Sequence, residues 1–223
     1  MTRPRRIAGT VGLLGTLLAT AAGAQAGAAF VLLMPSGDTL SIERFTRTAT
    51  RLEAELLVRP AGARFSFDAT LGPDATVAVL KNAYRQASAD PLSAPAQSAV
   101  ITFTGDSAIA VITAGERTVT QRLPSKPGAI PFINPSFALT EQILRRARAI
   151  GGAAASVPVF VVQGGTTVSF TFTWVGSDSA VLDLGGVAAR VAVGPDGEIL
   201  GAVIPSQGVR VVRVASVPDA LLV

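Results

Sequence analysis

From Ala28 onward the chain sets short apolar stretches between turn residues at the spacing of an antiparallel sandwich or barrel. Leu52, Ala54, Leu56 and Val58 alternate with Arg51, Glu53, Glu55, Leu57 and Arg59. The next run sets Phe65, Phe67, Ala69 and Leu71 against Arg64, Ser66, Asp68 and Thr70. A period of two with one apolar side predicts strands with one wet face. Turn residues separate the runs, at 35–38, 60–62, 72–74, 105–106, 114–116 and 194–197. The last of these, Gly-Pro-Asp-Gly, joins 187–193 to 199–204 and is the clearest hairpin of the chain.

Across 167–174 the alternation is most regular: Val168, Phe170, Phe172 and Trp174 share one face, and Thr167, Ser169, Thr171 and Thr173 the other. The aromatic face predicts core or the wall of an apolar cavity; the hydroxyl face predicts an ordinary solvent face. Residues 86–97, small, polar and twice interrupted by proline, predict a loop, which near a ligand site would act as a lid.

One segment has helical rather than strand periodicity. Asn134 can cap it, Pro135 suits its first position, and Ser136 to Ile150 runs to Gly151-Gly152. Phe137, Leu144 and Ala147, with Ile143 and Ile150 beside them, form an apolar stripe, and Glu141 stands four residues before Arg145. A helix of this kind must lie on the sheet or plug the end of a barrel. It joins strand-rich halves at about 28–123 and 157–215.

The N-terminus belongs to none of this. Met1 to Arg6 is cationic, Ile7 to about Gly23 is apolar and uncharged, and Ala24-Gln25-Ala26 is a small-x-small site. That order predicts a bacterial signal peptide, residues 1–26, cleaved after Ala26, and places residues 27–223 in the periplasm or outside the cell as one β-rich domain. Secretion by the general route is the default, with Arg5-Arg6 only faintly like a twin-arginine signal. The leader changes the charge balance. Removing Arg3, Arg5 and Arg6 and no acid takes 19 basic and 15 acidic residues to 16 and 15, a net charge of about +1. The remaining arginines are interspersed with acids, so nucleic acid is not an expected partner.

The candidate chemistry is defined mostly by what is missing. The chain has no histidine and no cysteine. That removes Ser-His-Asp hydrolases, histidine bases, thiolate nucleophiles, disulfides and His or Cys metal sites together. Gly105-Asp106-Ser107 resembles the nucleophile block of GDSL-type esterases, but the partner histidine is lacking and the position reads as a hairpin turn. There is no Gly-x-Ser-x-Gly elbow and no phosphate-binding glycine loop. A glycosidase needs only two carboxylates, yet Asp38, Asp74, Asp106, Glu116, Asp196 and Glu198 all fall in turns. No cofactor and no metal is expected. One Trp, one Tyr and a C-terminus, Pro218 to Val223, without a terminal aromatic argue against a membrane-spanning barrel, so contact with a membrane is expected to be peripheral at most.

Two stretches carry a resemblance. Asn134-Pro-Ser-Phe-Ala-Leu-Thr-Glu-Gln-Ile-Leu-Arg-Arg-Ala-Arg-Ala149 and Gly194-Pro-Asp-Gly-Glu-Ile-Leu-Gly-Ala-Val-Ile-Pro-Ser-Gln-Gly-Val-Arg210 resemble uncharacterised exported β-rich domains of bacteria. Some of those are similar to the region preceding an α/β-hydrolase domain in longer secreted proteins. The resemblance implies an accessory or binding role and carries over no catalytic residue. In architecture, many antiparallel strands with one helix also resemble the half-barrel lipoprotein carriers of the cell envelope.

The expectation is therefore a mainly β protein, an antiparallel barrel, half-barrel or sandwich with the helix 135–150 packed on its sheet. It is expected to be non-enzymatic and to bind an apolar small molecule or lipid between sheet and helix, with Phe132, Phe137, Leu144, Phe170, Phe172 and Trp174 as the lining. The alternative is a structural or protein-interaction module of the envelope, without a small ligand, working through strand edges or a flat face.

Overall fold

A computed structural model of the chain describes residues 25–90 and 92–222. The leader therefore lies outside the described residues, except that the backbone of Gln25 and Ala26 opens the first strand.

The described residues form fifteen strands and one α-helix. The first arm comprises β1 (Gln25–Leu33), β2 (Thr39–Arg47), β3 (Arg51–Val58), β4 (Ala63–Leu71), β5 (Val77–Gln86), β6 (Gln97–Thr104), β7 (Ser107–Ala114) and β8 (Arg117–Pro124). Then come the short β9 (Ile130–Phe132) and the helix α1 (Phe137–Ile150). The second arm comprises β10 (Ala154–Val161), β11 (Thr166–Trp174), β12 (Ser179–Asp183), β13 (Ala188–Val193), β14 (Ile199–Ile204) and β15 (Val209–Val214).

Both arms are antiparallel meanders, so almost every strand pairs with its neighbour in sequence. The exception makes them one sheet: β1 pairs antiparallel with β15, setting Ala29 opposite Val214 and Leu33 opposite Arg210. The order is β8-β7-β6-β5-β4-β3-β2-β1-β15-β14-β13-β12-β11-β10-β9, with β9 added parallel to β10 across the helical connection. Short hairpins make the meander possible. Gly105 (φ 56°) and Gly115 (φ 58°) each open a two-residue turn in the left-handed region, where a side chain would be strained.

The sheet curls around its apolar side until its ends approach. Ile130, Pro131 and Phe132 of β9 are buried within the roll, near β5. The end of β8 reaches the start of β11: Thr167 Oγ1 donates to the Pro124 carbonyl at 3.3 Å, and Leu123 packs where a Cβ on Gly165 would come within 3.2 Å of it. Protein of this shape is a β-barrel-like roll with one helix packed on its sheet, as the alternation and the lone helical period predict.

One continuous apolar cluster fills the roll. It takes Phe30 and Leu32 from β1, Leu52 and Leu56 from β3, Phe67 from β4, Phe170 and Phe172 from β11, and Leu139, Ile143 and Leu144 from α1. Helix α1 differs from the expected amphipathic stripe. Every residue from Phe137 to Leu144 is buried, Thr140, Glu141 and Gln142 included, and exposure to solvent begins at Arg145. It packs on the inner face of the sheet, against β10, β9 and β2. Its cap also differs from the expectation at Asn134 and Pro135: the N-cap is Ser136, whose hydroxyl accepts the Leu139 amide at 3.1 Å, and Pro135 precedes the cap. Gly151 closes the C-terminus as expected, its amide returning to Ala147.

The C-terminus, which reads as a loose end, is docked. Leu222 packs with Ile42 and Leu57 on the outside of the sheet. Asp219 pairs with Arg44, and the Leu221 and Leu222 carbonyls accept from Arg59 and Arg64. Leu57 is thus buried on the face that the alternation assigns to solvent.

Candidate functional site

Of the six residues expected to line a cavity, Phe132, Phe137, Leu144, Phe170 and Phe172 lie in the one buried apolar cluster and Trp174 packs against it. Phe132 and Phe170 meet edge to face at 5.4 Å, Phe172 stacks with Trp174 at 6.1 Å, and Phe137 lies 5.8 Å from Phe30. Phe172 and Leu144 have no exposed surface. Trp174 is half-buried, with Arg148 of α1 5.4 Å over its ring. These side chains form part of the packed core.

Polar groups, which the sequence does not single out, hold the helix in that core. Glu43 shares the inward face of β2 with Phe45 and receives the N-terminus of α1. Its Oε1 accepts the Ser136 hydroxyl at 2.5 Å, and its Oε2 accepts the amides of Phe137 and Ala138 at 2.6 and 2.9 Å. A carboxylate at this end satisfies amides that have no partner within the helix and complements the helix dipole. Burial pushes the Glu43 carboxyl up from 4.5 to about 7, with the three donors pulling it back and the charge of Glu141 adding to the rise.

One turn further, Glu141 Oε2 accepts from Arg213 at 2.6 Å and from the Ile199 amide at 2.9 Å. Its Oε1 faces Arg47 Nε at 3.5 Å and Arg145 at 3.7 Å. Arg47 also donates to the side chain of Gln142 and to the Ala138 carbonyl, and burial lowers its pKa to about 10 against the pull of Glu141. The group ties α1 to β2, β14 and β15 at once. Alternation along β2 would have found it only if Glu43 and Arg47 were given the parity of Phe45, and the burial of Ile42 under the tail hides that parity.

The open concavity lies on the other side of the sheet. A cleft of about 850 Å³ runs across the outer face of β2 to β6. Two cross-strand rows line it. One reads Arg44, Glu55, Ser66, Ala83, Ser98; the other reads Thr46, Glu53, Asp68, Lys81, Val100. Small side chains at Ser66, Ala83 and Ser98 leave the space; longer charged ones stand around it. Gly27 and Ala28 of β1 and the segment Ala215 to Val217 leaving β15 supply the remaining wall.

The charges are partly tied. Arg44 pairs with Glu55 at 2.6 Å, and Arg51 makes two hydrogen bonds of 2.9 Å to Asp68 while also meeting Glu53 at 2.8 Å. That fork holds the Asp68 carboxyl below its ordinary value, with some opposition from desolvation. A second, smaller concavity of about 380 Å³ lies over Thr171 and Thr173 on the hydroxyl face of β11. Among the described residues no cluster of three or more acidic, His or Cys side chains is placed to hold a metal. No helix among them is long and apolar enough to cross a membrane.

The fold has relatives among solved structures. A DUF1089 family protein from Pseudomonas aeruginosa superposes with a TM-score of 0.53 at 13% identity, over 76% of this chain and 91% of that one. A β-barrel-like protein of DUF1849 from Brucella abortus aligns with a TM-score of 0.41 at 9% identity, over 84% of this chain and 95% of that one. At 13% identity the likeness to the first is one of fold. Neither is described as a hydrolase or as the region preceding one. No family model matches the chain, and no curated protein matches it.

Proposed function

We propose that the protein is an exported, non-enzymatic binding protein that takes an apolar or amphipathic small molecule, lipids among the candidates, in the outer cleft. The single observation carrying this reading is where space is found. The roll is filled by its own helix, whereas the outer face of β2 to β6 holds a cleft of about 850 Å³, within the range of small-molecule sites. An occupant would rest its apolar part on Ala83, Val100 and Val217 and turn its polar part to the charged rows.

The absence of histidine and cysteine from the sequence supports a binding rather than a catalytic reading. The small-x-small site ending at Ala26 supports export to the periplasm or beyond, and an intact mass beginning at Gly27 would test it. The likeness of residues 134–149 and 194–210 to the region preceding secreted α/β-hydrolase domains adds an accessory role beside such an enzyme as a further reading.

The test is occupancy. An environment-sensitive lipophilic dye should bind the folded chain, and filling the cleft with Ala83→Trp should abolish that binding while leaving the far-ultraviolet circular dichroism unchanged. Dye binding that survives in Ala83→Trp places the site elsewhere.

A further inference from the structure

The two ends of the sheet are finished differently. At one end β9 is buried on all three residues and hidden within the roll. At the other, every residue of β8 is exposed or half-exposed. Past the contact of Leu123 and Pro124 with the start of β11, no described strand pairs with its outer edge. The two-residue turn at Gly115-Glu116 pairs Ala114 with Arg117, so the alternation of the ladder turns the backbone N–H and C=O of Thr118, Thr120 and Arg122 away from β7. A row of this kind is a template for one more strand.

Both faces of the edge carry apolar surface. Val119 is half exposed opposite Ile112, and Val111, opposite Thr120, continues into Val100 at the rim of the outer cleft. The charge is one-sided. Residues 117–124 contain Arg117 and Arg122 and no acid. Among the described residues Arg117 has no ion-pair partner, and Arg122 donates to the Ser107 hydroxyl at 3.0 Å and lies 3.8 Å from Asp106, with most of its side chain exposed.

We propose that β8 is a docking edge for an extended, acidic segment of a partner protein, which adds to the sheet as a sixteenth strand. Backbone groups at Thr118, Thr120 and Arg122 supply the ladder, Val119 supplies an apolar contact, and the two arginines select acidic side chains. A second copy of β8 is the poorer occupant, because antiparallel self-pairing sets four arginines along one two-stranded ladder.

The test uses the full chain and two fluorescein-labelled nine-residue peptides, one carrying glutamates on both strand faces among valine and threonine, the other with lysine in place of glutamate. Anisotropy should show the acidic peptide binding, at least roughly tenfold more tightly than the lysine peptide and more weakly as salt rises. Thr120→Pro removes an outward N–H at a position where an edge strand tolerates proline, and should weaken binding by about tenfold or more. The double variant Arg117→Glu, Arg122→Glu should reverse the preference toward the lysine peptide. If Thr120→Pro fails to fold, that reversal decides alone. Three results overturn the proposal: no binding of either peptide, a preference unchanged by charge reversal, or a wild-type dimer abolished by the β8 variants.

Discussion

Arg213 Nη1 lies 2.6 Å from Glu141 Oε2, joining the central strand β15 to the middle of the buried helix, while its guanidinium sits 5.3 Å from the ring centroids of both Phe30 and Phe45. The contact holds a fully buried carboxylate inside an apolar cluster. Removing one partner leaves the other charged and desolvated, which costs about 3–5 kcal/mol. Arg213→Met and Glu141→Ala should each destabilise the protein by roughly that amount in urea unfolding. The triple variant Glu141→Leu, Arg213→Met, Arg47→Met should recover part of the loss, since it also removes the buried guanidinium of Arg47 that faces Glu141.

Glu43 makes stability depend on pH. Its carboxyl stands at about 7 in the folded protein, above its ordinary 4.5, so between those values the folded chain holds more protons than the unfolded one. The contribution is fully present below pH 4.5 and lost as pH rises through 7. It amounts to on the order of 3 kcal/mol. Urea midpoints from pH 4.5 to 8 should fall in the wild type and fall less in Glu43→Gln, which keeps hydrogen-bond acceptance for the helix amides without the charge.

The C-terminal strap should matter although it carries no regular strand. Leu222 closes a small cluster with Ile42 and Leu57, and Leu222→Asp should cost roughly 2 kcal/mol. Because the same strap begins with the Ala215 to Val217 wall of the cleft, removing residues 218–223 should also speed exchange of a cleft-bound dye.

A turn clamped by the helix offers a stabilising change. Asp74 and Ala75 both have positive φ, 54° and 56°, and their carbonyls accept from Arg146 at 3.0 Å and Gln142 at 2.8 Å. A left-handed alanine is strained where glycine is not, so Ala75→Gly should raise the melting temperature, by an amount equivalent to about 1 kcal/mol.

The sequence yields the strands because each is a local pattern. Leu52 to Val58, Phe65 to Leu71, the 194–197 hairpin and the helix stop at Gly151 are all visible within a few residues. It does not yield the β1–β15 pairing, which joins segments nearly the whole chain apart, nor the inward Glu43 and Arg47, whose parity is masked by burial on both faces of β2. The helix reads as amphipathic because Thr140, Glu141 and Gln142 are polar. They are nonetheless buried: Thr140 donates back to the Ser136 carbonyl, Glu141 accepts from Arg213 and the Ile199 amide, and Gln142 meets Arg47 and the Ala75 carbonyl. The aromatic residues Phe132, Phe170 and Phe172 read equally well as core or cavity wall, and only their mutual contacts show how they pack. The outer cleft depends on Ser66, Ala83 and Ser98 lining up across three strands, a register that no single strand encodes.

Native mass spectrometry of the purified chain, in wild type, Ala83→Trp and Leu144→Ala, tests the central claim most directly. The account predicts a small-molecule adduct on the wild type, absent from Ala83→Trp and retained by the folded fraction of Leu144→Ala. An adduct that persists in Ala83→Trp and disappears with Leu144→Ala would move the site to the sheet–helix interface, and a wild type bare of adducts that also fails to bind lipophilic dye would contradict a small-molecule role.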